Sequence, residues 1–278
     1  MITSLDYFAS LVRQDNSIPL FEAALTIAQD AEPQLDLAAS QAEIDSLAAK
    51  LQKRLPPDAS AMQKLRMLNH FFYGELGFSG NVNDYYAADN SYLHRVISNR
   101  RGIPISLAVV YMELAEQIDL AIKGVSFPGH FLMKLSVQSG DIILDPFNGA
   151  SLSLEELEER LEPFLEQHDY PIEATLAAHL QAAEPRDILV RMLRNLKLLF
   201  LEREEWDRLL SVQQRLVILL PREIAERRDR GLAYANMECP QAALDDLEAY
   251  LKRRPYAIDA EILQQKLPEL RDAIKRLN

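Results

Sequence analysis

The distribution of glycine constrains the fold of this chain more than any other feature of its sequence. The 278 residues include only nine glycines, and eight of these lie between Gly74 and Gly149. Glycine favours tight turns and left-handed backbone conformations. The distribution therefore predicts turns and strands within residues 74–149, with helices before and after them.

The middle of the chain combines the pattern of a buried helix with that of a hairpin. Residues 105–118 are apolar on almost every side, as in a helix that lies inside a core, and Pro104 suits the first turn of that helix. Strand-like runs follow at residues 121–127, 130–137 and 142–144. Ser139 and Gly140 are typical of a hairpin turn between the last two runs. We predict an α+β core of one buried helix and about three antiparallel strands.

The C-terminal part repeats with a period of 34 residues, because Pro221 and Pro255 are 34 positions apart, as are Leu210 and Leu244. In a helical sequence this period is typical of tetratricopeptide helix pairs. The alternative is an ordinary helical bundle in which the spacing is coincidental.

The balance of charge changes along the chain. Acidic side chains outnumber basic ones up to residue 184, and the two are nearly balanced after it. We therefore predict two domains, residues 1–184 and residues 185–278. Residues 154–167 carry six glutamates against the single base Arg160, which predicts a solvated connecting helix. An acidic partner-binding face is the alternative for this segment.

Composition argues against several classes of function. The net charge of −12 argues against a general nucleic-acid-binding protein, and no run approaches the roughly 20 apolar residues of a membrane span. The first residues lack the layout of a signal peptide, so we expect a cytoplasmic protein.

The one cysteine, Cys239, excludes an intramolecular disulfide, and we expect it to be a partly buried structural thiol. The five histidines lack paired metal-ligand spacing, so we predict neither a metal nor a cofactor.

One pair of residues suggests acid–base chemistry. His130 opens the second strand-like run, Asp145 ends the third, and a hairpin between them brings the two close together. Asp145 could then accept the Nδ1 proton of His130, as in a nucleophile–histidine–aspartate triad. The alternative is a strand-edge histidine and a turn-forming Asp-Pro. Ser106 is the only hydroxyl at the start of the buried helix, where it could act as a nucleophile or bond to the backbone of the first turn.

Several motifs resemble those of the SirB-type bacterial proteins. They are NSYLHRV, RGIPISLA, FPGHF and LDPFNG, and the resemblance covers about residues 35–265. These proteins join a transglutaminase-like core to a tetratricopeptide region, so the resemblance implies a papain-like α+β core. His130 and Asp145 match the histidine and aspartate of the family. Active members carry a cysteine at the start of the core helix, and Pro104 falls on that position here.

Three functional hypotheses follow from the missing cysteine. The first is a non-catalytic regulatory or protein-interaction module, whose repeats recruit a protein or peptide. Its binding cleft would be formed around the pair by Asn90, Ser91, Tyr92, Pro104 and Tyr111. The second is an acyl transferase or amide hydrolase with Ser106 as nucleophile, His130 as base and Asp145 orienting the base. In the third, the pair only braces the hairpin against Asn90 or Tyr111.

Overall fold

The structure, a computed structural model, describes residues 3–164 and 172–277, and within residues 172–175 it describes the backbone alone. The chain divides into two compact units. One is Ser17–Met192, and the other joins the described part of residues 1–16 to residues 193–277. This division differs from the predicted boundary at residue 184, because the first helix belongs with the C-terminal helices. Phe8 of that helix is fully buried, and the Arg215 guanidinium lies 4.8 Å from the centre of its ring.

The central unit has a strand-rich segment, as the glycines predict, with helices before, within and after it. Its helices are α2 (Leu20–Ile27), α3 (Leu37–Gln52), α4 (Ala61–Asn69), α5 (Leu93–Asn99), α6 (Pro104–Glu116), α7 (Leu154–Leu161) and α8 (Ile172–His179). Local chemistry sets their ends. Asp36 caps α3 by accepting a hydrogen bond from a backbone amide, and Ser60 and Gln63 form a capping box at the start of α4.

Two small sheets complete this unit. Strands β1 (Ser79–Gly80) and β2 (Arg101–Gly102) form a short parallel pair. Strands β3 (Ile122–Val125), β4 (Leu132–Val137) and β5 (Gly140–Leu144) form an antiparallel sheet in that order. The hairpin prediction is confirmed, with Val137 opposite Gly140. Strand β4 begins two residues later than expected, so His130 lies in the preceding turn, where Gly129 has a φ of 66°.

Helix α6 is the centre of the core, and the prediction of a buried helix is confirmed. Every residue from Pro104 to Tyr111 is buried. The helix packs against α2, α3 and α5 and against β3 and β4. Its first turn is therefore held firmly in place by the surrounding elements. This turn is where the resemblance places the missing cysteine.

The second unit consists of α1 (Ser4–Leu11) and the C-terminal helices. The latter are α9 (Pro185–Glu202), whose first residues belong to the central unit, α10 (Trp206–Leu219), α11 (Ile224–Asn236), α12 (Pro240–Arg253) and α13 (Ala260–Leu277). Helices α10 and α12 start 34 residues apart, in agreement with the period of the sequence. Among the described residues, every helix is too short or too polar to cross a bilayer.

Candidate functional site

The turn that carries His130 is held by one arginine of helix α9. The Arg191 Nη1 donates hydrogen bonds to the Ser126 hydroxyl (2.8 Å) and the Phe127 carbonyl (2.9 Å). Its Nη2 donates to the carbonyl of His130 itself (2.7 Å). The contact could not be predicted from the sequence, because Arg191 lies 61 positions after His130, in helix α9. The turn is thus fixed from outside the hairpin.

The imidazole of His130 and the carboxylate of Asp145 lie together, with 3.0 Å between Nε2 and Oδ1. The nitrogen that faces Asp145 is therefore Nε2, and the expectation of Nδ1 is wrong. His130 lies in the turn before β4, so the register of the hairpin does not set the orientation of its ring. A carboxylate only accepts hydrogen bonds, so Nε2 carries the proton in this contact and Nδ1 is left for another partner.

Asp145 is held by more groups than His130. Its Oδ1 also accepts a hydrogen bond from the backbone amide of Phe147 (2.9 Å), and its Oδ2 accepts one from the Arg160 Nη1 (2.9 Å). Partial burial acts to raise the pKa of this carboxyl, but the hydrogen bonds from His130, Phe147 and Arg160 outweigh it and lower the pKa to about 2. The carboxylate is therefore ionised at neutral pH.

Arg160 is the residue of this cleft that could not be predicted from the sequence. Leu157 and Leu161 are buried, and they turn the neighbouring Arg160 towards Asp145 while most of the glutamates of α7 stay exposed. The prediction of a solvated helix thus describes the outer face of α7 and omits the inner one. Residues 165–167 of the acidic segment lie outside the described residues.

A cleft of about 430 Å³ opens over these groups. Its polar lining consists of His130, Asp145 and Arg160. Its apolar lining consists of the rings of Tyr85, Phe147 and Phe164, together with Pro104, Pro128 and Gly129. Phe164 and Tyr85 are 53% and 43% exposed, so they form an open rim.

Two glycines allow the rings to approach the backbone. The Phe147 ring lies against Gly80, where any Cβ atom would overlap it, and the Gly80 amide donates to the Phe147 carbonyl (3.0 Å). The Phe164 ring lies in the same way against Gly129, next to His130. Substituting either glycine would displace a ring of the cleft.

Pro104 and Ser106 occupy different environments. Pro104, the first residue of α6, lines the cleft together with His130. Ser106 is fully buried and is not among the residues that line the cleft. Its hydroxyl donates to the backbone carbonyls of Asn90 and Ile103, the second at 3.0 Å. This is the first-turn backbone bonding that the sequence analysis gave as the alternative to a nucleophilic role.

Asn90 supports the cleft without lining it. Its side-chain amide donates to the carbonyls of Asp84 (2.6 Å) and Tyr85 (3.0 Å), and its Oδ1 accepts from Asn81. These bonds shape the loop that brings the Tyr85 ring to the rim. Asn90 is therefore a positioning residue in this structure.

Ser91, Tyr92 and Tyr111 are also buried and lie outside the lining of the cleft. The Tyr111 hydroxyl donates to the Asn69 side chain (2.8 Å). Among the described residues, the hydrogen bonds of the His130–Asp145 pair include none to Asn90 or Tyr111. The bracing that the third hypothesis requires is therefore supplied by Arg160 and Phe147 instead.

The side chains that could bind a metal ion do not form a cluster among the described residues, and the thiol of Cys239 lies away from the cleft. In the parts of the chain that the structure describes, no three His, Cys, Asp or Glu side chains converge on a point that could hold a metal ion. Cys239 is the N-cap residue of α12 in the other unit and is exposed, so the expectation of a partly buried thiol is wrong.

Comparison with known families agrees with this arrangement. Residues 38–194 match the transglutaminase-like superfamily, and residues 196–268 match the tetratricopeptide repeat. The chain belongs to the transglutaminase-like superfamily. The two matches follow one another along the chain, so the predicted fold class, a transglutaminase-like core followed by helical repeats, is confirmed.

Relatives of this transglutaminase-like chain are similar over nearly all of their length. A UPF0162 protein of Xylella fastidiosa (strain Temecula1) is 38% identical over 92% of this chain and 91% of its own. A UPF0162 protein of Vibrio cholerae is 28% identical over 92% of this chain and 93% of its own. Protein SirB1 of Salmonella typhimurium is 28% identical over 81% of this chain and 82% of its own, in agreement with the SirB-type motifs. No solved structure matches the chain.

Proposed function

We propose that this chain is a non-catalytic member of the transglutaminase-like superfamily, which binds a ligand in the cleft over His130 and Asp145. The observation that carries the proposal is the position of Pro104. It lines the cleft beside His130, at the start of the core helix, and it has no nucleophilic atom. Among the described residues that line the cleft there is no thiol and no serine or threonine hydroxyl.

Acyl transfer by a triad requires a nucleophile within hydrogen-bond reach of its base. In triad enzymes, removal of the nucleophile costs about as much activity as removal of all three members. A histidine–aspartate pair without a nucleophile therefore retains its polarity and shape and loses its covalent chemistry. Such a site is suited to recognition.

The alternative, an acyl transferase or amide hydrolase based on Ser106, has less support. The Ser106 hydroxyl is buried and donates to two backbone carbonyls. To reach His130 it would have to give up both hydrogen bonds, at a cost of about 0.5–1.5 kcal/mol for each, although the two carbonyls would keep the backbone amides of Ile103 and Leu107 as donors.

A serine-directed fluorophosphonate probe separates these two functions. Applied to the full chain at high concentration, it should leave Ser106 unlabelled, as judged by mass spectrometry of the peptides. Ser106→Ala provides the background. Labelling of Ser106 that disappears in His130→Ala would replace the binding proposal with the enzyme alternative.

The second part of the proposal concerns the helical repeats, which we infer recruit a protein or peptide. A cavity of about 400 Å³ lies between the start of α11 and the end of α12, where Tyr250, Arg253 and Tyr256 line it, and Tyr256 is 97% exposed. An exposed aromatic ring beside arginines is typical of interface hot spots. Capture of one protein by the full chain and not by a Tyr256→Ser variant supports this role. Identical capture by the wild-type chain and by Tyr256→Ser removes the support that this cavity provides.

A cytoplasmic location stays a prediction of the sequence.

A further inference from the structure

The accessible polar groups that the cleft offers to a ligand are the nitrogens of Arg160 and His130 and not carboxylate oxygens. Both oxygens of Asp145 already accept hydrogen bonds, and its side chain is only 8% exposed. The side chains of Arg160 and His130 are 38% and 24% exposed. At Asp145 a cationic ligand would find one remaining lone pair, on Oδ2 of a nearly buried side chain, whereas an anionic ligand would find an accessible guanidinium.

Arg160 has donors to spare. A guanidinium carries five N–H groups in a planar fork, and the described residues engage only Nη1 of Arg160, at Asp145. This fork matches the geometry of a carboxylate, with which it forms paired and charge-assisted hydrogen bonds. The positive end of α6, whose first residue Pro104 lines the same cleft, adds to the attraction for an anion.

The remaining walls of the cleft are mainly apolar, apart from the hydroxyl group of Tyr85. The rings of Tyr85, Phe147 and Phe164 face the same space of about 430 Å³, which lies within the size range of small-molecule sites. Because the rings and Arg160 line one cavity, a single ligand can contact all of them. Such a ligand needs an apolar body and one negative end.

We infer that the cleft binds a carboxylate joined to an aromatic or bulky apolar group, with the carboxylate on Arg160 and the apolar group between the rings. The inference rests on the proposed function, because it treats the ligand as bound and not transformed. The C-terminal residue of a peptide and a free arylalkanoic acid share this chemistry.

Calorimetry on the full chain tests the inference with three probes. N-acetyl-phenylalanine represents the end of a peptide, 3-phenylpropionate represents a free acid, and N-acetyl-phenylalaninamide is the neutral match of the first. At least one acid should bind, and the amide should bind about tenfold more weakly or worse, because it lacks a charge-assisted hydrogen bond. A preference for N-acetyl-phenylalanine identifies a chain end as the source, and a preference for 3-phenylpropionate identifies a free acid. Either preference supports the site.

Variants locate the binding. Arg160→Gln should weaken binding of the acid by about tenfold or more and leave binding of the amide unchanged. Arg160→Lys retains the charge and should retain part of the affinity for the acid. Arg66→Gln is the matched control, because Arg66 is exposed on α4 and its loss changes the net charge equally. Melting temperatures of all three variants show whether each has folded.

Two results would overturn the inference. One is equal binding, or no binding, of the acids and the amide by the wild-type chain. The other is an acid affinity that a folded Arg160→Gln variant leaves unchanged. Conversion of N-acetyl-phenylalaninamide to the acid by the protein is a separate result, because it contradicts the proposed function and leaves the carboxylate site standing.

Discussion

At the scale of single residues, one carboxylate organises the site. Asp145 binds His130, Arg160 and the Phe147 amide at once. The contact with His130 could be predicted because a hairpin joins the two residues. The contact with Arg160 could not, because it depends on how α7 packs, and in the sequence Arg160 is one base among glutamates. The choice of Nε2 over Nδ1 is a rotamer that spacing does not determine.

The lowered pKa of Asp145 predicts a dependence of stability on pH. The folded-state pKa of about 2 lies below the ordinary value of 3.8, so the ionised carboxylate stabilises the fold above about pH 4. This contribution, about 2 kcal/mol, is lost as the pH falls from about 4 towards 2. Wild type should therefore exceed Asp145→Asn in free energy of unfolding at pH 7, and the difference should narrow below pH 4.

Urea unfolding of both proteins at a series of pH values between 7 and 3 measures this difference. Asp58→Asn, at an exposed position, controls for the loss of one negative charge. A gap between wild type and Asp145→Asn that stays constant over the whole range would show that the ionisation of Asp145 does not stabilise the fold.

At the scale of secondary-structure elements, the predictable parts are those with local signals. The buried helix α6 follows from its continuous apolar sequence, and the β4–β5 hairpin follows from Ser139 and Gly140. The turn around His130 has no such local determinant. Arg191 of α9 fixes it with three hydrogen bonds, and the Arg191 guanidinium lies 5.7 Å from the centre of the Phe131 ring. A helix thus positions the loop that carries His130.

Arg191→Met should loosen this turn while the helix remains. The change removes three hydrogen bonds from a charged donor, while the Phe127 carbonyl keeps the His130 amide as a donor and Ser126 is exposed to water. We expect the loss to cost about 1–3 kcal/mol in free energy of unfolding. The NMR signals of the His130 ring should shift and broaden more than those of His70, which is exposed on another element. Loss of stability with an unchanged His130 signal would mean that Arg191 supports the fold and does not position the imidazole.

At the scale of the whole molecule, the order of the domains is readable from the sequence and their exact limits are not. The 34-residue period and the transglutaminase-like motifs are linear features, so both regions could be predicted. The attachment of α1 to the C-terminal unit depends on the burial of Phe8 against Arg215, over 200 positions away. A contact between residues so far apart in the sequence cannot be predicted from composition or charge.

The whole molecule retains the scaffold of the superfamily but not the nucleophile that its active members carry. The scaffold of the superfamily is present from α3 to α9, with the histidine and aspartate in contact and Pro104 beside them. The fold therefore holds the acid–base pair in place independently of the nucleophile. The proposed function, recognition without bond cleavage, rests on this combination.

Hydrolysis by the full chain tests this claim most directly. An activated ester, p-nitrophenyl acetate, and the amide N-acetyl-phenylalaninamide are incubated with wild type and with His130→Ala, and product formation is followed for both. The account predicts equal rates for the two proteins on the amide, because the imidazole has no side-chain nucleophile to activate. The ester measures the background, because an accessible imidazole can attack an activated ester by itself. A wild-type rate on the amide about tenfold or more above that of His130→Ala would contradict the account.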